Sequence, residues 1–297
     1  MVDAEPVTAT LLATCTFPPP GTEVTCAVSG GADSMTLMAL AIAAGCTVTA
    51  VHVDHGLRAG SQSEAAIVSA TAARFGAAFR AETVDVALGP NLEARARKAR
   101  YAVLPNDVMT GHTADDQAET MLINLMRGAS TTGLAAMRPG TRRPILALRR
   151  ATTARFCHAQ GIAIVSDPSN CDPAFLRNRV RHELLPLMHE LAQRDLVPVL
   201  TRQAGLLRED GDLLDQLAEA IDPTSAKELA AAPVPLARRA LRRWLTTEHP
   251  PDAATIERVL RVARGQASGC DIGGGRRIER SQQRLRLLGE PTAMPSR

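Results

Sequence analysis

Hydroxyl, glycine and acidic residues follow one another in the segment SGGADS at residues 29–34, directly after the apolar run VTCAV. Glycines let a backbone approach a phosphate closely, and N–H groups at the start of a following helix point towards it. The segment lacks the lysine of a G-x-x-x-x-G-K-S/T loop and the G-x-G-x-x-G dinucleotide fingerprint. A plain strand–helix turn capped by Asp33 or Ser34 is the alternative. We favour a phosphate site.

The segment GHTADDQAET at residues 111–120 contains the densest group of acids. Thr113 and Asp116 have the spacing of a helix capping box, which explains both residues structurally. Asp115 and Glu119 lie four residues apart, so on a helix they share one face, where like charges repel by about 0.2–0.5 kcal/mol. The pattern predicts an unpaired acidic face that holds a cation, either Mg²⁺ or an ammonium group.

Further polar residues follow the second predicted strand: His52, Asp54, His55 and Arg58. Open parallel sheets bind their ligands at the carboxyl ends of the strands, where these residues would lie. A polar surface loop is the alternative. A zinc site is disfavoured because no third ligand follows at a suitable spacing.

Arginines are clustered, although the formal net charge is only +3. The segment from Arg138 to His182 contains nine arginines and two acids, and the segment from Arg238 to Arg286 contains twelve arginines and five acids. Such clusters suit phosphate-rich partners, but a chain-wide preference for arginine is the alternative, since the chain has two lysines. In RNRVRH at residues 177–182, the planar arginine side chains could stack on bases. They would replace aromatic residues, which make up only 2% of the chain.

The elements that position these residues alternate between strand and helix up to about residue 165, which predicts a parallel sheet with right-handed crossovers. The remaining segments have helical periodicity, and a small hairpin is predicted at the end, in DIGGGRRIERSQQRLRLLG. We therefore expect an α/β domain over residues 1–190 and a smaller, mostly helical domain over 191–297.

The composition excludes several classes of protein. No apolar run is long enough to cross a membrane, and the acidic N-terminus does not resemble a secretory signal. The six cysteines include no C-x-x-C pair, which predicts reduced thiols in the cytoplasm rather than a disulfide framework or a cysteine-held metal.

Together these segments resemble the tRNA(Ile)-lysidine synthetase family, whose catalytic domain is a PP-loop domain of the N-type ATP pyrophosphatases. The likeness is carried, in order, by SGGADS, HVDHGLR, NLEARARKARY, GHTADDQAETMLINLMRG, RPILALRR, DPSNCDPAFLRNRVRHELLP, IERVLRVARG and GGGRRIERSQQRLRL. It spans nearly the whole chain. The resemblance implies a Rossmann-like parallel sheet followed by an arginine-rich, mostly helical tRNA-binding domain.

The resemblance also implies a reaction. ATP adenylates O2 of the wobble cytidine in a tRNA(Ile) with a CAU anticodon, and pyrophosphate leaves. The ε-amine of free lysine then attacks C2, AMP leaves, and the resulting lysidine changes the specificity of the tRNA from Met to Ile. Expected cofactors are ATP and Mg²⁺, and no membrane partner is expected.

The family implies the following residue roles in this chain. The ATP-binding residues would be Ser29, Gly30, Gly31, Ala32, Asp33, Ser34, His52 and Asp54. Mg²⁺ would be held by Asp33 and Asp115, and lysine by Asp115 and Glu119. The catalytic residues would be Asp33, Arg95, Arg100, His112 and Asp115, with Arg97 beside them. The tRNA-binding residues would be Arg58, Arg177, Arg179, Arg181, Arg242 and Arg243.

Three alternatives stay open. A PP-loop tRNA thiolase normally needs paired cysteines, and an amidotransferase-type synthetase needs a glutamine-hydrolysing domain. A non-catalytic tRNA- or nucleotide-binding protein would be indicated by loss of the acids at 33, 115 and 119, all of which are present. The connection 101–107 is shorter than the family leads us to expect, and we expect no counterpart of the second C-terminal domain found in longer members. The oligomeric state is open, with a homodimer as one alternative.

Overall fold

The computed structural model describes residues 4–54, 61–85, 92–165, 172–247 and 249–289. The chain divides into two compact units, Met1–Gly205 and Leu206–Arg297. The predicted boundary between residues 190 and 191 falls within the first of these units and stays a prediction.

The first unit contains a four-stranded parallel sheet with helices, as the sequence predicts. Its strands are β1 (Glu23–Ala27), β2 (Thr47–Asp54), β3 (Ala78–Thr83) and β4 (Met109–Thr110). Its helices are α1 (Ala4–Leu12), α2 (Ala32–Ala43), α3 (Ser61–Phe75), α4 (Leu92–Val103), α5 (Ala114–Met126), α6 (Thr131–Leu134), α7 (Arg150–Ala159), α8 (Leu176–Arg179) and α9 (Leu185–Ala192). A π-helix, Val180–Leu184, joins α8 to α9, and α10 (Val197–Glu219) leads into the second unit.

The core of the first unit is built around α2, which contacts β1, β2 and α7. Because α2 has neighbours on several sides, Met35, Leu37, Met38 and Leu40 are completely buried. This explains why its sequence is apolar almost all round instead of along one stripe. The loop that leads from β1 into α2 is therefore attached to a rigid, fully packed helix.

The strand order β3-β2-β1-β4 places β1 in the interior of the sheet. The chain moves outward from β1 through β2 to β3 and then returns to the other side of β1 as β4. Ligands of open parallel sheets bind at such a reversal, outside the carboxyl ends of the strands. The segments that follow β1 and β4, residues 28–34 and 111–113, flank this position.

Gly111 brings these two segments into direct backbone contact. A Cβ atom on Gly111 would lie 2.9 Å from the carbonyl carbon and oxygen of Asp33 and from the backbone nitrogen of Ser34. Real Cβ atoms essentially never come so close to backbone atoms, so the absence of a side chain here is a packing requirement. The start of α5 is thereby held beside the start of α2.

The second unit combines helices with a small sheet. The helices after α10 are α11 (Ala226–Ala231), α12 (Val234–Leu245) and α13 (Ala253–Ala263), and the strands are β5 (Gly269–Gly273), β6 (Arg276–Ser281) and β7 (Arg284–Leu288). The three strands are antiparallel in the order β5-β6-β7, so the prediction of a single hairpin is wrong by one strand. Leu241, Ile256, Leu260 and Ile278 form the buried centre.

None of the helices in the described ranges is long and apolar enough to cross a membrane. The cysteines whose side chains are described are all free thiols: Cys15, Cys26, Cys46, Cys157 and Cys270. Burial is the largest influence on Cys26 and raises its pKa to about 12, so this thiol stays protonated at neutral pH. The cytoplasmic location stays a prediction.

We expect Gly111→Ala to lower the free energy of unfolding by about 1–3 kcal/mol, because the added methyl group must push apart the starts of α2 and α5. The matched control is Gly205→Ala, since a Cβ at Gly205 meets no atom within 4 Å and the residue lies within α10. That control should be neutral or slightly stabilising. Thermal and urea unfolding of both variants would measure the difference, and equal stability of the two variants would contradict the packing requirement.

Candidate active site at the carboxyl edge of the parallel sheet

The loop after β1 is held in a fixed shape by its own hydroxyl groups. The backbone N–H of Ser29 donates to Oγ of Ser34 over 3.2 Å, and that hydroxyl donates to the carbonyl oxygen of Gly31 over 2.9 Å. Ser34 is buried, whereas Ser29 is exposed at the mouth of the loop. Ser34 therefore shapes the loop, and the hydroxyl of Ser29 is accessible to a ligand.

Gly30 makes the turn possible because its φ angle is +88°, a conformation that residues with side chains rarely adopt. A Cβ there would also lie 2.6 Å from Cγ2 of Val165, whose backbone N–H donates to the carbonyl oxygen of Gly30. α2 then begins at Ala32 with Gly31 as its N-cap. The first N–H groups of a helix lack intrahelical partners, so this end of α2 favours an anion.

Asp33, in the first turn of α2, contacts the first turn of α7. The hydroxyl of Thr153 donates to Oδ1 of Asp33, and Nε of Arg150 lies 3.6 Å from Oδ2. Burial is the main influence and raises the pKa of Asp33, with the nearby charge of Asp116 acting in the same direction. The contacts with Thr153 and Arg150 partly offset this rise.

The first turn of α5 carries two adjacent aspartates with different partners. Asp116 accepts hydrogen bonds from the backbone N–H (2.8 Å) and the hydroxyl (2.9 Å) of Thr113, and the predicted capping box is confirmed. Asp115 accepts from Nε (3.1 Å) and Nη2 (3.2 Å) of Arg149 and from the backbone N–H of Arg150 (2.8 Å). Arg149 also pairs with Asp195.

Glu119 lies one turn further along α5 and has no exposed surface. Its Oε1 accepts from Nη1 of Arg150 (3.0 Å) and Nε of Arg181 (2.7 Å). Its Oε2 accepts from Nε of Arg177 (2.9 Å) and Nη2 of Arg181 (3.1 Å). Burial alone would raise the pKa of Glu119, but the three arginines outweigh burial and lower it to about 2. Glu119 is therefore ionised and fully hydrogen-bonded.

These contacts correct the prediction of an unpaired acidic face. The cations beside Asp115 and Glu119 are arginines of the chain itself: Arg149, Arg150, Arg177 and Arg181. Sequence reasoning missed Arg149, Arg150 and Thr153 as site residues, because it considered only the charges within α5. The available signal was the segment RPILALRR, which carries part of the family resemblance and ends at Arg150.

The run RNRVRH is divided between two environments. Arg177 and Arg181, predicted to bind tRNA, point towards Glu119. Arg179 is exposed and pairs with Glu183 over 3.1 Å, four residues along the chain. The side chains of Arg177 and Arg181 are 27% and 22% exposed, so their outer nitrogens border the site without being free surface charges.

The other predicted site residues lie at several positions. Nδ1 of the buried His52 donates to the carbonyl oxygen of Val28 over 2.9 Å, which ties β2 to the loop after β1. Asp54 is the last residue of β2. Nδ1 of His112 lies 2.7 Å from Oγ1 of Thr110, at the end of β4. Arg58 and the side chain of Arg97 lie outside the described residues.

Arg95 and Arg100 occupy different parts of α4. Within the part of the chain that the structure describes, Nε and Nη2 of Arg95 are buried without a hydrogen-bond partner. Arg95 lies near the start of α4, which follows β3 and hence begins at the carboxyl edge of the sheet. Arg100 is five residues further along, about 7–8 Å further from that edge at 1.5 Å per residue. The two unsatisfied N–H groups make Arg95 the better candidate for an anionic ligand.

Arg242 and Arg243 lie in the last turn of α12, in the second unit. Nη2 of Arg243 donates to the carbonyl oxygen of Ala218 over 3.4 Å. Among the residues that the structure describes, five arginines of this unit have neither an acidic partner nor a side-chain hydrogen bond: Arg242, Arg261, Arg264, Arg276 and Arg286. Their charges are available to a phosphate-rich ligand.

Mg²⁺ binds oxygen ligands and is often held by one or two carboxylates together with substrate phosphates. Asp33 fits this use better, because it lies in the first turn of α2 and its ion-pair contact within the described residues is long, at 3.6 Å from Nε of Arg150 to Oδ2. Asp115 fits poorly, since the guanidinium of Arg149 lies against both of its oxygens. No group of three or more His, Cys, Asp or Glu residues in the described ranges could hold a metal without such phosphates.

Comparisons with known proteins match both units. Residues 6–188 match the model of the PP-loop domain, and residues 225–286 match the TilS substrate binding domain. The tRNA(Ile)-lysidine synthases of Rhodococcus erythropolis and Nocardia farcinica are each 40% identical, covering 91% and 89% of this chain and 90% of their own lengths. That of Thermobifida fusca is 39% identical over 88% of this chain and 90% of its own.

A solved structure shares the fold. The U34-tRNA thiolase NcsA from Methanococcus maripaludis aligns with a TM-score of 0.55, covering 69% of this chain and 79% of its own. Its sequence identity is 15%, so the likeness is one of fold alone. It supports the Rossmann-like arrangement of the PP-loop domain.

We expect Glu119→Gln to lower the free energy of unfolding at pH 7 by about 3 kcal/mol, because neutralising this buried carboxylate leaves three arginines with Asp116 as their shared counter-ion. The folded-state pKa of about 2 lies below the ordinary value of 4.5. The stabilisation by the ionised form is therefore fully present above about pH 5 and is lost as the pH falls towards about 2. Urea unfolding of the wild type and the variant across this range would measure the difference.

The control for this prediction is Glu183→Gln, which removes an exposed carboxylate paired with Arg179. It should change stability little at any pH, because exposed ion pairs contribute little. A stability difference between Glu119→Gln and the wild type that does not shrink in acid would contradict the assignment of Glu119 as the ionised centre of the cluster.

Proposed function

Because the chain belongs to the tRNA(Ile)-lysidine synthase family of PP-loop enzymes, we propose that it joins free L-lysine to C2 of the wobble cytidine in a tRNA(Ile) with a CAU anticodon. ATP is consumed, AMP and pyrophosphate are released, and the specificity of the tRNA changes from Met to Ile. The observation that carries this proposal is the contact between the anion-binding start of α2 and the acid-bearing start of α5, enforced by Gly111. An activated phosphate ester and an amine need such neighbouring sites.

In the first step, the wobble base attacks ATP. The cytidine O2 forms a bond to the α-phosphorus, the bond to the β-phosphate oxygen breaks, and pyrophosphate leaves. The loop of Ser29, Gly30, Gly31, Ala32 and Ser34, together with the backbone at the start of α2, holds the phosphates. His52 and Asp54 border this site from β2, with His52 fixing the loop through Val28. Asp33 would hold a Mg²⁺ ion that neutralises the charge developing on pyrophosphate.

Arg95 would stabilise the phosphate charge as the bond to pyrophosphate breaks. Its Nε and Nη2 groups are buried and have no hydrogen-bond partner among the described residues, so an anionic oxygen would gain two charge-assisted hydrogen bonds there. Donors aimed at developing charge in this way stabilise a transition state. His112, held by Thr110 at the end of β4, would position the base, and Arg100 would act from further along α4.

In the second step, the neutral ε-amine of lysine attacks C2 of the adenylated cytidine, the C2–O bond to AMP breaks, and the amine loses a proton to solvent. Free lysine carries two ammonium groups and one carboxylate before this deprotonation. The cluster on α5 offers both signs of charge, with Asp115 and Glu119 as acids and with arginines around them. Oδ1 of Asp115 accepts one hydrogen bond in the described structure and can accept another from an ammonium group.

Glu119 would serve lysine recognition through its arginines. Its oxygens already accept four hydrogen bonds, so a direct contact with an ammonium group would require one arginine to leave. The partly exposed guanidiniums of Arg177 and Arg181 suit the α-carboxylate of lysine. Replacement of Glu119 would then raise the lysine requirement while leaving adenylation in place.

Arginines outside the cluster would hold the tRNA. Arg242 and Arg243 in α12 and the exposed Arg179 are suited to phosphate contacts, and Arg58 stays a prediction from the family. The other arginines of the second unit that lack an acidic partner would add to this attraction. Binding should therefore weaken steeply with increasing salt concentration.

Two other functions are less well supported. A tRNA thiolase shares the fold, but that similarity is at 15% identity, whereas the lysidine synthases are about 40% identical over about 90% of the chain. A non-catalytic tRNA-binding protein would not need Asp33, Asp115 and Glu119 in one ordered charge cluster. Neither alternative accounts for acids on α5 held beside the loop after β1.

We expect radiolabelled lysine to become acid-precipitable when the protein is incubated with ATP, Mg²⁺ and a tRNA(Ile) transcript that has a CAU anticodon. The control transcript carries uridine at the wobble position and should stay unlabelled, because it has no cytidine to modify. AMP formation without lysine incorporation, on another tRNA, would favour thiolation. Binding of the transcript without any AMP would contradict catalysis.

Asp33→Asn should reduce tRNA-dependent ATP–pyrophosphate exchange by at least about 100-fold, because a neutral amide would hold Mg²⁺ at the phosphates much more weakly than a carboxylate. The hydrogen bond from Thr153 can persist, so the change tests charge more than packing. Asp210→Asn, an exposed position in α10, is the control and should leave exchange unchanged. Wild-type exchange in Asp33→Asn would exclude Asp33 from the pyrophosphate site.

A further inference from the structure

Arg150 has an unusual position, because its three guanidinium nitrogens face carboxylates from two different helices. Nη2 donates to Oδ1 of Asp116 over 2.9 Å, and Nη1 donates to Oε1 of Glu119 over 3.0 Å. Nε lies 3.6 Å from Oδ2 of Asp33. The side chain thus joins the acid of the ATP loop on α2 to the acids of α5.

The backbone of Arg150 is fixed as firmly as its side chain. Arg150 is the first residue of α7, and its backbone N–H donates to Oδ2 of Asp115 over 2.8 Å. α7 is in turn attached to α2, since the hydroxyl of Thr36 donates to the carbonyl oxygen of Thr153 over 3.1 Å. Arg150 is therefore held on the ATP-loop side by α7 and reaches across to α5.

The other arginines of the cluster do not make this connection. Arg177 and Arg181 pair with acids of α5, and Arg149 pairs with Asp115 and Asp195. Among the ion pairs of the described residues, those of Arg150 are the ones that include Asp33. Removing Arg150 would still leave Glu119 with two arginine partners, so the charge of Glu119 stays compensated.

We propose that Arg150 is a positioning residue that fixes the acidic helix α5 relative to the ATP loop, so that lysine is delivered to C2 of the cytidine adenylated at that loop. The inference rests on the proposed function and extends it to the coupling between the two steps. Arg150 acts through Asp33, Asp116 and Glu119 and need not touch a substrate. The planar guanidinium of Arg150 is essential, because it presents several N–H groups in fixed directions.

Without this connection, we expect the adenylated cytidine to be hydrolysed before lysidine forms. If lysine is not aligned with the intermediate, water attacks C2, the C2–O bond to AMP breaks, AMP leaves, and a proton passes to solvent. This restores the original cytidine, so the net reaction is ATP plus water giving AMP and pyrophosphate. The ratio of AMP formed to lysidine formed therefore reports positioning. A smaller fraction of folded protein would lower both products equally and leave the ratio unchanged.

The test uses Arg150→Lys and Arg150→Ala in the full chain, with Arg155→Lys as the matched control. A lysine side chain at position 150 keeps the positive charge but cannot contact three carboxylates at once. Arg155 lies on the same helix, is exposed, and contacts only Thr152 in the described structure. For each variant, AMP and lysidine are quantified in parallel on the CAU transcript, together with the KM for lysine and the melting temperature.

For Arg150→Lys we expect AMP formed per lysidine to rise at least 5-fold and the KM for lysine to rise at least 10-fold, with a melting temperature close to that of the wild type. Arg150→Ala should show a ratio at least as high, and Arg155→Lys should match the wild type. An unchanged ratio in Arg150→Lys would overturn the inference, as would a loss of activity that follows the melting temperature alone. Failure of the proposed function is distinguishable, because the wild type itself would then form no lysidine, and the inference would fall with it.

Discussion

The buried carboxylate of Glu119 imposes the strongest constraint on the first unit. A charge without exposed surface is very costly unless it is paired and hydrogen-bonded, and Glu119 meets this condition with four hydrogen bonds from three arginines. These arginines come from α7 and from the adjoining α8 and π-helix, and they lie 31 to 62 residues from Glu119 in sequence. The carboxylate therefore fixes where each segment can lie, and the candidate site forms between them.

The same network explains how acids can be concentrated beside an ATP loop without repelling the nucleotide. Each of Asp33, Asp115, Asp116 and Glu119 has at least one arginine within ion-pair distance, so their field on the phosphates is largely compensated. The groups are also held by hydrogen bonds before any substrate arrives. Such preorganisation is what electrostatic catalysis requires, because little reorganisation is needed when charge develops in the transition state.

Sequence predicted features that depend on neighbouring residues and missed those that depend on distant ones. The loop SGGADS, the parallel sheet and the Thr113–Asp116 capping box follow from local pattern, and the structure contains all three. The pairing of Glu119 with Arg181, 62 residues away, has no local signal. The prediction of a hairpin in place of three strands was wrong for another reason. The turn between β6 and β7 places Gln282 and Gln283 at φ angles of +48° and +63°, where glycine or asparagine is the usual signal.

The division of RNRVRH shows why a basic run overstates the positive charge available to RNA. A helical repeat of about 3.6 residues turns Arg177 and Arg181 towards Glu119 and leaves Arg179 on the opposite side. Two of the three arginines are therefore paired with a buried carboxylate, and their main effect is to order the site. In contrast, Arg242 and several arginines of α13 and the small sheet have no acidic partner among the described residues. We therefore expect the arginines of the second unit to attract the tRNA backbone more strongly than this run does.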